Sequence, residues 1–191
     1  MSHSHRPWGY QPPEEGHAPD WKLHPQTEAI RAGTERSGFG ETSEAVYLTS
    51  GFTYDNAEQA EHAFIDEVDH YVYSRFANPT VAMFEKRLAA IEGAQFCVAT
   101  ASGMAAMFAS VASIASAGDR VVASAAMFSS CHVVLTEILP RWGITVELVK
   151  GNDEKTWAAA LAQPTKAVFI ETPSNPLLEI VDIKMVSDLA H

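Results

Sequence analysis

From residue 95 onward, short apolar runs alternate with longer stretches of helical spacing. Gln95-Phe96-Cys97-Val98-Ala99 is uncharged and reads as a buried parallel strand. It leads into a predicted helix over 103–117, after which Gly118-Asp119 turns the chain. Arg120-Val121-Val122-Ala123-Ser124 is the next strand, and 129–139 a helix closed by Pro140. A strand over 144–149, a helix over 153–161 capped by Asn152 or Asp153, and a strand over 166–171 follow. That strand ends in Thr172-Pro173, and a last helix starts at Ile183. Alternation of this kind implies right-handed βαβ units, hence an α/β fold with a mostly parallel sheet and helices on both faces. Ligands of such open sheets bind beyond the carboxyl ends of the strands. Those ends are Thr100-Ala101-Ser102, residues 124–128, Lys150-Gly151-Asn152 and residues 171–175.

Upstream the pattern is looser. Residues 1–24 are rich in Pro, Gly and His, show little periodicity and read as a flexible arm in which His3 and His5 are solvated. A short helix over 27–32 follows Pro25 and ends at Gly33, and Gly38 and Gly40 mark a loop. Residues 46–54 are aromatic-rich and extended, and Asp55 or Asn56 caps a helix over 57–65. Residues 71–76 are extended, and Asn78-Pro79-Thr80 starts a helix that reaches Ile91 and stops at Gly93. Its period places Val81, Phe84, Leu88 and Ile91 on one face.

The turn Thr100-Ala101-Ser102-Gly103-Met104-Ala105-Ala106 joins an expected strand to an expected helix. Ser102 is a good N-cap, and Gly103 lets a ligand approach the backbone closely. The free N–H groups and positive dipole end of the helix would favour an anion such as phosphate. The same local pattern also describes an ordinary capped, buried helix.

Composition is globular, with 47% hydrophobic and 19% charged residues. A formal charge of −11 offers no basic stripe for nucleic acid and serves solubility. The two cysteines, Cys97 in the expected strand and Cys131 in the expected helix, read as buried free thiols in a reducing compartment, which places the protein in the cytoplasm. No residue between Glu92 and Asp119 is charged, but this stretch is interrupted by Ser102-Gly103 and rich in Ala, so it reads as strand–turn–helix rather than a membrane span.

Several chemistries are excluded. Thr100 and Met104 stand where a Gly-x-Ser-x-Gly nucleophile elbow needs glycine. No Gly-x-Gly-x-x-Gly or Gly-x-x-x-x-Gly-Lys-Ser/Thr occurs, and neither His-Glu-x-x-His nor paired Cys-x-x-Cys marks a metal site. Cys131 and His132 are adjacent on a helix, so their side chains diverge by ~100° and make a poor dyad. What remains is the anion-type turn at Ser102 and the loop Glu171-Thr172-Pro173-Ser174-Asn175-Pro176. There the flanking prolines stiffen the chain and hold the Asn175 amide in one direction, unless the segment is a plain turn.

Together Tyr73-Ser74-Arg75, Asn78-Pro79-Thr80, Ala101-Ser102-Gly103-Met104-Ala105-Ala106 and Glu171-Thr172-Pro173-Ser174-Asn175-Pro176 resemble the Cys/Met-metabolism family of pyridoxal-phosphate enzymes, in order and spacing over residues 27–191. The likeness is greatest to its O-succinylhomoserine sulfhydrylase branch, through Leu48-Thr49-Ser50-Gly51-Phe52, residues 71–75 and Ala125-Ala126-Met127-Phe128. The resemblance implies the first part of a fold-type I pyridoxal-phosphate transferase large domain over 78–191, preceded by an N-terminal arm and inter-subunit segment over 1–77. It further implies a homo-oligomer, a dimer of dimers with shared active sites. Gly103 and Met104, after the Ser102 cap, would give N–H groups to the cofactor phosphate. Tyr73 and Arg75 would reach the phosphate of the neighbouring subunit's cofactor. Asn175 would hydrogen-bond the phenolic oxygen, with Glu171 supporting that strand end. Phe128 falls where many relatives carry a stacking Tyr; it keeps the stacking, lacks the phenol and points toward a sulfhydrylase.

The implied reaction is γ-replacement, in which O-succinylhomoserine loses succinate and sulfide (or a thiol) adds at Cγ to give homocysteine. The Schiff-base lysine, the acidic partner of the pyridinium nitrogen and the arginine for the substrate carboxylate would all lie beyond His191. None of Lys22, Lys86, Lys150, Lys155, Lys166 and Lys184 matches the family's lysine motif, so no catalytic residue is expected in this chain. The alternatives are a cystathionine γ-synthase or γ-lyase of the same family, a non-catalytic α/β binder of a phosphorylated ligand, and a structural half that pairs with a separate polypeptide.

Overall fold

The computed structural model describes residues 23–191; the expected arm, with His3 and His5, lies almost wholly outside them. The chain divides between Ala99 and Thr100 into two compact units. Among the described residues, no helix is long and apolar enough to cross a membrane.

In the first unit, α1 (Pro25–Arg31), α2 (Ala57–Phe64) and α3 (Pro79–Glu92) carry the helical content. Asn56 rather than Asp55 caps α2, accepting the Gln59 N–H at 2.8 Å. Asn78 caps α3 and is only 7% exposed. Its Oδ1 accepts the Thr80 N–H at 2.9 Å, while its Nδ2 donates to Tyr47 O at 3.0 Å and Ser74 Oγ at 2.9 Å. Thr80 Oγ1 accepts the Tyr47 N–H at 2.8 Å, so one helix start fastens both extended segments. These meet at an antiparallel bridge between Gly51 and Tyr73. Residues 74–76 turn instead of extending. Gly33 sits at φ +72°, where an added Cβ would lie 2.8 Å from Met83 O, so α1 and α3 approach as closely as they do only with glycine there. Arg87 completes the contact, donating to Ala32 O and Thr34 Oγ1 at 2.9 Å each. Pro79, Met83 and Ala89 are the buried positions on α3, whereas Val81, Phe84 and Ile91 are exposed.

Residues 95–99 are not a strand. They join no ladder, and Phe96 and Val98 are 78% and 77% exposed. Apolar character makes a strand only where a neighbouring edge supplies hydrogen bonds, and no described residue supplies one here.

The second unit is the expected α/β arrangement. Strands β1 (Arg120–Ser124), β2 (Thr145–Val149) and β3 (Ala167–Phe169) form a parallel sheet in the order β2-β1-β3. Helix α4 (Gly103–Ala112) precedes β1, and α5 (Ser129–Val133) lies between β1 and β2. Helix α6 (Glu154–Leu161) joins β2 to β3, and α7 (Ile183–Ala190) follows. The period of the strand assigns each residue to a face. Val121 and Ala123 pack with Met107, Val111, Cys131, Leu135 and Leu139, whereas Val122 packs on the other face with Trp157, Val181 and Val186. Helices cover both faces, so the middle of β1 is apolar throughout, with Val121, Val122 and Ala123 at 0% exposure.

Two helices depart from expectation, and at a third the structure selects between two expected caps. Helix α4 stops at Ala112, because Asp119 Oδ2 accepts the Ser116 N–H at 2.8 Å and draws residues 116–119 into a turn. The single helix expected over 129–139 is α-helical only to Val133, then π-helical over Val134–Ile138 and 3-10 over Leu139–Trp142. Pro140 has no N–H for the Thr136 carbonyl, and Thr136 Oγ1 donates to His132 O at 2.8 Å, so regular i to i+4 bonding is disturbed from both ends. At α6 the cap is Asp153, whereas Asn152 Oδ1 accepts the Asp182 N–H at 2.8 Å.

Asn78→Ala removes a cap and strands the Tyr47 carbonyl. It is expected to destabilise the first unit by about 2–4 kcal/mol, read as a lower denaturant midpoint. Asn78→Asp keeps the cap and should lose less; equal losses in the two variants would show that the donated bonds do not matter.

Candidate functional site

Five strand-end features of the second unit converge. The first is the start of α4. Ser102 is extended (φ −162°, ψ 160°), and its Oγ accepts the Ala105 N–H at 3.1 Å. Thr100 Oγ1 donates to Ser102 O at 2.9 Å and fixes the turn. Among the described residues the Gly103 and Met104 N–H groups donate to no protein acceptor. A Cβ built on Gly103 meets no atom within 4 Å, so the approach to these donors is open. Two unused N–H groups at the positive end of a ten-residue helix suit a phosphate.

The other features are the β1–α5 connection, the end of β3, its following loop and Cys131. Phe128 stands at the start of α5, 41% exposed as a residue and with no side-chain cap to offer. Its N–H donates instead to Glu171 Oε2 at 2.8 Å, and Glu171 Oε1 accepts the Asn175 N–H at 2.5 Å. One carboxylate thus joins the two loops that carry Phe128 and Asn175. Ser174, 1% exposed, closes the loop beyond: its N–H donates to Glu179 O at 3.0 Å, and its Oγ accepts the Glu179 N–H at 3.1 Å. Thr172 Oγ1 accepts the Val181 N–H at 3.0 Å. This leaves Asn175 exposed, its side-chain amide bonded to no described residue.

Met104 turns its side chain inward, with Sδ 3.9 Å from Cys131 Sγ, so the starts of α4 and α5 are packed together. Burial, and then the nearby Glu171 charge, push the Cys131 thiol above its ordinary value of 9.0. Cys131 is therefore a neutral packing group at neutral pH. Cys131 is the buried free thiol the sequence leads one to expect, whereas the Phe128–Glu171 link is signalled there only by a lone carboxylate ending the apolar run 167–170.

Tyr73 and Arg75 lie in the first unit. Tyr73 is 42% exposed, and the exposed Arg75 guanidinium stacks 4.5 Å from the Phe76 ring centroid and 5.5 Å from that of Tyr73. Among the described residues Arg75 forms no ion pair, which leaves its fork open to an anion.

An open helix start, an exposed ring and an unengaged amide thus lie together at the carboxyl end of a parallel sheet. The chain belongs to the Cys/Met metabolism PLP-dependent enzyme family, whose model matches residues 26–191; pyridoxal phosphate (PLP) is that family's cofactor. It is 56% identical over 165 residues to an O-succinylhomoserine sulfhydrylase of Mycobacterium tuberculosis, covering 86% of this chain and 41% of that one. To an L-methionine gamma-lyase of Treponema denticola it is 35% identical over 170 residues, covering 89% and 42%. A structure from Campylobacter jejuni, designated an O-acetylhomoserine (thiol)-lyase and carrying N'-pyridoxyl-lysine-5'-monophosphate, superposes with a TM-score of 0.79 at 30% identity, covering 88% of this chain and 41% of that one. These neighbours share a fold-type I architecture, and the chain spans about two fifths of the length of the relatives it matches.

The raised Cys131 value favours the folded state below the ordinary thiol value, and this contribution is lost as pH rises through the raised one. At pH 8, iodoacetamide is expected to label half-buried Cys97 before buried Cys131. Mass spectrometry reads the order, and faster labelling of Cys131 would contradict its buried, neutral state.

Proposed function

We propose that this chain forms the phosphate- and ring-holding part of an enzyme that carries out γ-replacement on O-succinylhomoserine, with sulfide displacing succinate to yield homocysteine. The observation that carries the reading is the grouping of the open Gly103–Met104 donors with Phe128 and Asn175 at one sheet end. The choice of substrate rests on the 56% identity to an O-succinylhomoserine sulfhydrylase.

The residues fit pyridoxal phosphate, which when bound supplies an electron sink for carbanions at Cα and Cβ. The Gly103 and Met104 amides hold the phosphate, helped by the α4 dipole. The Phe128 ring covers one face of the pyridine ring and keeps water from it. The Asn175 amide donates to the phenolic oxygen and fixes the in-plane rotation. Tyr73 and Arg75, on the inter-subunit segment 1–77, reach the phosphate held by a neighbouring copy, Arg75 through a bidentate fork. The lysine that holds the cofactor covalently lies outside these 191 residues, so the chain alone is inactive, and the assembled enzyme is a cytoplasmic homo-oligomer.

Purified enzyme containing this chain is expected to release succinate and homocysteine from O-succinylhomoserine and sulfide. Elimination from methionine, without that exchange, would assign it to the γ-lyase branch, which the T. denticola relative keeps in view. Borohydride reduction of the 191-residue chain with pyridoxal phosphate should label no single lysine, and specific labelling of one would overturn the missing-lysine reading. In the assembled enzyme, Arg75→Ala should weaken cofactor retention by roughly tenfold on dialysis at low phosphate. Retention equal to the unmodified enzyme would remove Arg75 from the phosphate's partners.

A further inference from the structure

Glu171 lies two residues beyond β3, and both of its carboxylate oxygens are taken up by backbone N–H groups. Oε2 accepts the Phe128 N–H at 2.8 Å and Oε1 the Asn175 N–H at 2.5 Å. Neither donor belongs to the sheet ladder, and both residues that donate are exposed beyond the strand ends. The loops they sit on are otherwise tied to different neighbours. The Phe128 carbonyl starts α5 by accepting the His132 N–H at 3.0 Å, and the Asn175 loop is closed on itself through Ser174 and Glu179. No other hydrogen bond of the described residues joins residues 125–128 to residues 172–176.

We infer that Glu171 is a positioning residue, whose carboxylate sets the spacing between the Phe128 ring and the Asn175 amide without touching the ligand between them. The inference rests on the site reading given above. Two acceptor oxygens on one rigid group are what the arrangement requires. A glutamine offers one oxygen and turns an NH₂ toward the other N–H, so it must release one loop. An aspartate keeps the charge and both oxygens but is a methylene shorter, which draws its carboxylate back from both donors. Release matters because a ring and an amide act on one flat molecule together only when held at a fixed distance and tilt.

The test uses the 191-residue chain, its Glu171→Gln and Glu171→Asp variants, and pyridoxal phosphate as the probe. Amide hydrogen exchange is read at Phe128 and Asn175, and the induced circular dichroism of the probe is read per bound molecule. In the unmodified chain both amides should exchange slowly, and the bound probe should carry an induced band. In Glu171→Gln at least one of the two amides should exchange roughly tenfold faster or more. The induced band should collapse while the far-ultraviolet spectrum is unchanged, and affinity for the probe should fall by roughly tenfold. Glu171→Asp should show the same loss of induced band, which separates the need for reach from the need for charge. Unchanged exchange in Glu171→Gln would overturn the clamp. Faster exchange with an intact induced band would overturn the positioning role alone. An unmodified chain that binds no pyridoxal phosphate, while both amides stay protected, would overturn the site reading and the positioning role with it.

Discussion

A strand buried on both faces has no side on which to carry chemistry. In β1, Val121 and Ala123 are claimed by the cluster beneath α4 and α5, and Val122 by the cluster beneath α6 and α7. Polar function is therefore forced to the places where the chain leaves the sheet. Parallel pairing sends every strand the same way, so the exits of β1 and β3 fall on one edge. The site is a consequence of that burial, because the starts of α4 and α5 and the end of β3 are brought together by the packing that excludes water from the strands.

Within the edge, the polar groups divide into those that hold the protein and those left for a ligand. Ser102 Oγ, Thr172 Oγ1, Ser174 Oγ and both Glu171 oxygens are all engaged with backbone N–H groups. The Gly103 and Met104 amides and the Asn175 side chain are not. Buried polar groups are costly unless paired, so the engaged set is what a stable loop cluster needs, and the unengaged set sits where solvent or a ligand can reach it. Cys131 and Met104 supply the apolar floor, and the neutrality of the thiol keeps a second negative charge away from Glu171.

The parts legible in the sequence are those determined locally. The strand at 120–124, the cap at Asp153, the helix start at Ile183 and the Asn78-Pro79 start each depend on a few neighbouring residues, and each forms as expected. The illegible parts depend on distant partners. Residues 95–99 have the composition of a strand but no neighbouring edge among the described residues, which a single stretch cannot reveal. The break of α5 into π and 3-10 turns comes from Thr136 and Pro140 acting together, although either alone is tolerated in a helix end. The Phe128–Glu171 bond spans 43 residues and follows no period, so only the fold discloses it. The family motifs name the residues, and the fold shows which of them are left unengaged and which brace the others.

The central claim is that the Gly103–Met104 turn receives a phosphate group. It is tested most directly by following the backbone amide resonances of the 191-residue chain during titration with pyridoxal phosphate and, separately, with pyridoxal, which lacks the phosphate. The account predicts that the Gly103 and Met104 signals move on addition of the phosphate ester and stay in place with pyridoxal. Equal shifts with both compounds, or shifts confined to residues away from the start of α4, would contradict it.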